Sequence, residues 1–115
     1  MNYKNKYTTY FDKTNAPKAH NETIQGGRLI SEGIKTPFNH AWGYIEGAGM
    51  MEEHSHPTDE VYIVIKGRAF CTIDGERFEV VPGDVIEIPP NAVHSVECME
   101  GEEFLWAAIF WRHID

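Results

Sequence analysis

The 115-residue sequence has no long apolar run and few basic residues, and each shortage excludes a class of partner. The longest apolar run, residues 104–111, is far shorter than the ~20 residues that a membrane-spanning helix needs. Ten Lys and Arg residues against 18 Asp and Glu give a net charge of -8, and the basic residues form no cluster. Because binding to a phosphate backbone needs clustered Lys and Arg, we expect neither nucleic acid nor a membrane as a partner.

Cysteine is also scarce, since the chain contains only Cys71 and Cys98. Two cysteines without a pattern do not make a disulfide framework, so we expect buried free thiols in a reducing compartment. The first ten residues, MNYKNKYTTY, lack the apolar centre of a signal peptide. These features together predict a cytoplasmic protein.

Helical periodicity is absent except for a weak pattern near the N-terminus. The sequence instead consists of short strand-like stretches with turn signals about every eight to twelve residues, such as Asp74-Gly75. A hydrophobic content of 42% and an aromatic content of 12% are typical of a single globular domain at this length. The sequence therefore predicts an all-β sandwich or barrel.

Two segments are predicted. Residues 1–22 form an N-terminal arm with rings at Tyr3, Tyr7, Tyr10 and Phe11, which pack either on the chain's own barrel or on a second subunit. Residues 23–115 form one β-barrel domain. Two of its strands, 61–65 and 104–111, are apolar on both faces, so the outer face needs a cover. We predict a homodimer, with the arm as the competing cover.

Two histidines lie two residues apart before a strand break. Residues i and i+2 of a strand point to the same side, so His54 and His56 lie about 6–7 Å apart on one face. Pro57 ends this strand, and Glu60 opens the returning strand beside the histidines. Two imidazoles and a carboxylate make an incomplete metal-ligand set, for which His94 is the candidate fourth member.

These residues resemble the first motif of the cupins, small jelly-roll barrels whose two motifs each contribute metal ligands. That motif reads Gly, five residues, His-x-His, three or four residues, Glu, six residues, Gly. His54, His56, Glu60 and Gly67 match it at the right spacings, and Ala48 stands at the leading glycine position.

The second cupin motif reads Gly, five residues, Pro-x-Gly, two residues, His, three residues, Asn. Gly83, Pro89 and His94 match it, whereas Asn91 stands where the second glycine belongs and Cys98 where the asparagine belongs. The resemblance covers about residues 38–111 and leaves the arm unexplained. It implies a cupin-like jelly roll, or double-stranded β-helix barrel.

By the same resemblance, His54, His56, Glu60 and His94 bind one divalent transition metal inside the barrel. Three imidazoles and a carboxylate suit Fe, Mn, Ni, Cu or Zn, and the sequence does not choose among them.

Strand parity predicts a mostly apolar wall around this site. The predicted substrate-pocket residues are Trp42, Tyr44, Met51, Tyr62 and Val64. If His40 points inward, Trp42 and Tyr44 point inward with it, and His40 and Tyr44 are then the candidate catalytic proton carriers. The alternative is that Trp42 and Tyr44 are core or interface aromatics. His20, near the N-terminus, is predicted to be a surface residue.

Two functions follow from this arrangement. The first is a metal-dependent enzyme that acts on a small organic molecule as a dioxygenase, an isomerase or epimerase, or a lyase. The second is a non-catalytic module that binds or senses a small molecule. Keeping all four ligands favours the enzyme.

Overall fold

The structure, a computed structural model, describes the backbone of residues 2–115 and the side chains from residue 4 onward. All its regular elements in this range are strands, so the all-β prediction is confirmed. They are β1 (Asn2–Asn5), β2 (Thr8–Tyr10), β3 (Lys18–Ala19), β4 (Asn21–Gly27), β5 (Asn39–Glu46), β6 (Met50–His54), β7 (Thr58–Gly67), β8 (Ala69–Ile73), β9 (Glu76–Val80), β10 (Val85–Ile88), β11 (His94–Cys98) and β12 (Glu103–Arg112).

Two antiparallel sheets form the barrel. One has six strands in the order β10-β7-β12-β5-β4-β3, and the other has four in the order β6-β11-β8-β9. Apolar side chains from both sheets form one buried core, with Ile45, Val96 and Phe104 fully buried. The jelly-roll prediction is confirmed. Because β3 already belongs to the larger sheet, pairing begins a few residues before the predicted domain start at residue 23.

The turns follow the sequence signals. Asp74 and Gly75 both have positive φ, 47° and 86°, as a two-residue hairpin between β8 and β9 requires. Asn91, which stands at a glycine position of the second motif, has a φ of 66°. Asparagine tolerates this left-handed conformation better than most residues do, which explains how the turn before β11 survives the substitution.

The inner face of β5 carries small residues. Gly43 lies opposite Trp106 of β12, and Ala41 lies opposite Ala108. A Cβ at Gly43 would lie 2.2 Å from the Trp106 ring, so no side chain fits between the strands there. The inward side of β5 is therefore the side of Gly43, and the alternate residues point outward.

The N-terminal arm covers part of that outward side on its own barrel. The Phe11 ring lies 5.1 Å from the Tyr44 ring and 6.1 Å from the Trp42 ring. The Thr9 hydroxyl donates a hydrogen bond to the Leu29 carbonyl, which fixes the arm further. Of the two predicted positions for the arm, the structure thus shows packing on the chain's own barrel, although Tyr7 stays 84% exposed.

The two cysteines are free and buried, as predicted. Across residues 2–115 there is no helix with the length and hydropathy of a membrane span. Location in the cytoplasm stays a prediction.

Candidate metal centre and its cavity

Three histidines converge at one end of the barrel. His54 ends β6, His56 lies in the loop that follows, and His94 begins β11. One ring nitrogen from each lies within 4.8 Å of the others. The pairing of β11 with β6, in which His94 is opposite His54, brings the two sequence motifs together.

Backbone carbonyls fix the protonation of two of these rings. The Nδ1 of His54 lies 3.0 Å from the Glu52 carbonyl oxygen, and the Nδ1 of His94 lies 2.9 Å from the Ala92 carbonyl oxygen. A carbonyl only accepts, so each Nδ1 carries the proton and each Nε2 keeps its lone pair. This is the arrangement that prepares a histidine for metal coordination.

His56 and Glu60 complete the group. The Nδ1 of His56 lies 2.7 Å from the Thr58 hydroxyl, and its Nε2 lies 2.9 Å from Oε1 of Glu60. The same Oε1 lies 3.5 Å from Nε2 of His94. The structure therefore brings together all four side chains that the sequence predicted as ligands.

The donor set fits a cation. His94 is 1% exposed, and its Nε2 is buried without a hydrogen-bond partner despite the nearby Glu60 oxygen. A buried polar atom without a partner is costly, and an ion at this point would satisfy its lone pair. Burial lowers the pKa of His54, the hydrogen bond to the Glu52 carbonyl raises it, and the neighbouring His94, His20 and His56 lower it again. The net lowering favours the neutral, ligating form.

A cavity of about 390 Å³ lies next to this cluster. Its lining residues are Ala19, His20, Ile24, Gln25, Gly26, Gly27, Ala41, Trp42, Gly43, Met51, His54, His56, Thr58, Glu60, Tyr62, Trp106, Ala108 and Phe110. Met51 and Tyr62, both predicted for the pocket, therefore line it. Val64 does not line it, because it is packed in the core one step further along β7. Trp42 borders the cavity, yet its ring packs near Phe11 on the outer side.

The structure corrects the placement of His40 and Tyr44, since neither lines the cavity. Both alternate with Gly43 on the outward side of β5, because the Trp106 indole needs the inward space. The Nδ1 of His40 accepts hydrogen bonds from the backbone N–H groups of Leu29 and Ile30. Burial first, and then Arg28, lower the pKa of His40.

Tyr44 takes part in an acidic surface group instead. Its hydroxyl hydrogen-bonds to the carboxylates of Glu46 and Glu103. Burial and these two carboxylates raise the pKa of Tyr44. The alternative interpretation of Trp42 and Tyr44 as packing aromatics agrees with these contacts.

The phenol at the cavity is that of Tyr62. Its ring lies 6.2 Å from the His94 ring and 5.6 Å from the Trp106 ring. Burial, and then the charge of Glu60, raise the pKa of Tyr62, so the phenol keeps its proton.

Sequence reasoning missed several cavity residues. Trp106, Ala108 and Phe110 share a face of β12 by simple alternation, and their register with β7 would have placed them beside Tyr62 and Glu60. His20 had no comparable signal. It has a φ of 58°, and its ring lies 4.9 Å from the ring of His54 at the edge of the cavity.

Comparison with known proteins agrees with the motifs. Residues 41–110 match the protein family described as Cupin domain. The chain is a cupin. This confirms the resemblance, and the matched range contains both histidine motifs.

Two solved structures resemble this cupin over most of their length. The plu4264 protein of Photorhabdus luminescens is 34% identical with a TM-score of 0.78, covering 90% of this chain and 86% of the other. A Cupin 2 conserved barrel domain protein of Salinispora arenicola is 28% identical with a TM-score of 0.80, covering 90% and 87%.

The curated relatives are longer proteins. Acireductone dioxygenase 1 of Pectobacterium atrosepticum is 29% identical over a match of 90 residues, with 75% of this chain and 52% of the relative covered. This cupin spans about half the length, or less, of the curated relatives that it matches.

Proposed function

We propose that this cupin binds one divalent transition metal and uses it to transform a small organic molecule, with dioxygenase chemistry as the first reaction to test. The observation that carries the proposal is the buried, unpartnered Nε2 of His94, which faces a cluster of two further histidines and Glu60. Burying these polar atoms without an ion costs free energy, and a bound ion would satisfy the lone pair of the His94 Nε2.

His54, His56, His94 and Glu60 would hold the metal. When bound, a divalent ion polarises substrate oxygens and, if redox-active, supports reaction with dioxygen. The similarity to acireductone dioxygenase supports a dioxygenase in particular. Isomerase or lyase chemistry would use the same polarisation without oxygen.

The chain's own residues have three tasks in this proposal. Tyr62 holds a proton on its hydroxyl close to Glu60 and can donate a hydrogen bond to a substrate oxygen. Trp106 and Met51 give the cavity an apolar wall, which excludes water from the substrate. The carbonyls of Glu52 and Ala92 keep two imidazoles in the ligating tautomer.

The second candidate is a non-catalytic binding module. One observation favours it, because both side chains predicted as proton carriers, His40 and Tyr44, lie outside the cavity. The metal and the apolar wall would then hold a metabolite without converting it.

Metal reconstitution followed by oxygen uptake separates the two candidates. Protein loaded in turn with Fe(II), Mn(II), Ni(II), Cu(II) or Zn(II) is mixed with acireductone or catechol, and dissolved oxygen is followed. Catalysis predicts uptake with a redox-active ion that is lost in folded His94→Leu. Tight binding of either compound without consumption of it or of oxygen would favour the binding module.

We also propose that the homodimer forms through the outer face of β7 and β10. Val85 is 58% exposed and Ile65 is 46% exposed, and Val85 pairs with Ile63 on the neighbouring strand. The arm covers Trp42 and Tyr44 on β5 and so leaves this part of the face uncovered. A second copy could bury these side chains. Light scattering of the wild type and of Val85→Glu tests this, and a monomeric wild type would reject it.

A further inference from the structure

The cavity has a polar end and an apolar end. Its polar groups are the side chains of His54, His56 and Glu60 from the metal cluster, those of His20 and Thr58, and the hydroxyl of Tyr62. The rest of the lining is apolar, and it is formed mainly by Ile24, Met51, Trp106, Ala108 and Phe110. A bound molecule would therefore meet hydrogen-bonding groups at one end and hydrocarbon surface at the other.

Charge limits what can bind. Among the lining residues no Lys or Arg occurs, whereas Glu60 is present and 7% exposed. Glu52, near His20 at the cavity edge, adds a further negative charge. A carboxylate oxygen that does not contact the metal, such as the two outer oxygens of a chelated dicarboxylate, would lose its water without gaining a cationic partner, which is costly. The cavity thus disfavours ligands with more than one negative charge.

The shape of the cavity further limits which molecules can bind. The Trp106 indole lies directly against Gly43, where a Cβ would be 2.2 to 2.8 Å from three ring atoms. This contact fixes the ring as a wall, and the Tyr62 ring lies 5.6 Å away. Ala41 and Ala108, opposed in the register of β5 and β12, leave the adjacent space open. Aromatic rings favour planar partners by stacking or edge contacts.

We propose that the ligand of this cavity is a planar, largely apolar molecule with two adjacent oxygens and at most one negative charge. This inference rests on the proposed function for the role of the oxygens, which would bind the metal. The planar body would lie beside Trp106 and above Ala108. Small dicarboxylates, which chelate metals equally through two oxygens, would be the wrong class.

The first experiment compares two bidentate oxygen chelators on zinc-loaded protein by calorimetry. Tropolone is planar, apolar and singly charged as a chelate, and oxalate is small and doubly charged. Each affinity is divided by the same probe's affinity for free zinc. We expect the normalised value to be at least about 10-fold higher for tropolone, a difference of about 1.4 kcal/mol. A normalised value equal to or higher for oxalate would overturn the inference.

The second experiment uses a matched pair of variants on one strand. Ala108→Leu adds volume inside the cavity and should lower tropolone affinity at least about 10-fold with little change for oxalate. Ala107→Leu adds the same atoms at the next residue, which faces the other side of the sheet and does not line the cavity. It should leave both affinities unchanged. Equal effects of the two variants would contradict the proposed position of the ligand.

A metal-free measurement keeps this inference separate from the proposed function. If the protein retains no metal, the proposed function fails, and 2-naphthol is then titrated against metal-free protein by tryptophan fluorescence. Binding that Ala108→Leu abolishes and Ala107→Leu preserves supports the planar apolar site by itself. Absence of binding, or binding that is insensitive to Ala108→Leu, rejects it.

Discussion

His54 and His94 face each other across two paired strands, and their rings lie 4.2 Å apart. Each ring directs Nδ1 to the carbonyl oxygen of the residue two positions earlier in the chain. The two histidines therefore adopt the same tautomer through the same kind of local hydrogen bond, although 40 positions separate them in the chain. Strand register brings them together, and the backbone orients each ring.

Replacing His94 tests the metal centre. His94→Leu keeps an apolar volume in the buried position but removes a ligand, so we expect metal affinity to fall at least about 10- to 100-fold, the loss that even outer-shell changes cause. Metal content is measured after dialysis. His113→Ala is the control, because His113 is half-exposed and is not a member of the histidine cluster. Equal metal content in His94→Leu and the wild type would contradict the ligand assignment.

The lowered pKa of His54 predicts how the stability of the metal-free protein depends on pH. The unfolded chain takes up a proton at this site near pH 6.5, whereas the folded protein does so only at lower pH. The contribution of His54 to the free energy of unfolding should therefore be constant above neutrality and fall as the pH drops below about 6.5.

Urea unfolding of metal-free protein at a series of pH values measures this dependence. In His54→Asn the slope below about pH 6.5 should be shallower, since one titrating group is gone. Metal affinity should decline over the same range, because protonated imidazole does not ligate. A free energy of unfolding that rises as the pH falls would contradict the predicted direction of this pH dependence.

The contact between Gly43 and Trp106 predicts that adding a single methyl group at Gly43 lowers the stability of the fold. Gly43→Ala places a Cβ inside the indole, and the ring or the strand must move, so we expect destabilisation of about 1–3 kcal/mol. Gly27→Ala is the matched control, because no atom lies within 4 Å of its added Cβ. It should change stability by less than about 0.5 kcal/mol. Similar unfolding midpoints for the two variants would mean that Trp106 is not fixed by this contact.

The packing of the arm is tested at Phe11. Phe11→Ala removes two ring contacts and should cost at least about 0.5–1.5 kcal/mol, the contribution of an aromatic pair beyond its buried area. It should also speed proteolysis before residue 17. Tyr7→Ala, at a side chain that is 84% exposed, is the control for a ring lost from the same arm. If both variants are cleaved at the wild-type rate, the arm is held by other contacts.

Sequence reasoning succeeded where a pattern is local. The turns at Asp74-Gly75 and Asn91 follow from backbone preferences of the residues themselves. The prediction that His54 and His56 lie side by side also needed only neighbouring residues, and their rings are 5.8 Å apart. The predicted strand was too long, however, because β6 ends at His54 and His56 lies in the loop before Pro57. The predicted all-β class belongs to this group. The meeting of His94 with His54, His56 and Glu60 was implied by the resemblance to cupins, and it depends on the pairing of β11 with β6.

Sequence reasoning failed where the inward face of a strand is decided by a residue that is distant in the chain. Period-two alternation assigns His40, Trp42 and Tyr44 to one face of β5 but does not say which face is inside. The structure decides this through Trp106, whose indole fills the inward space over Gly43. Because the Gly43 side of β5 faces inward, His40 and Tyr44, the two predicted proton carriers, face outward and lie outside the cavity.

The sequence by itself determined the strands and the turns, because these depend on backbone preference, and its two motifs indicated the four candidate ligands through their resemblance to cupins. Only the tertiary structure decided the faces of β5, the position of the arm and the place of His20 beside His54. Those outcomes come from packing between segments that are far apart in the chain. At β5, for example, the Trp106 ring leaves no space for a side chain at position 43.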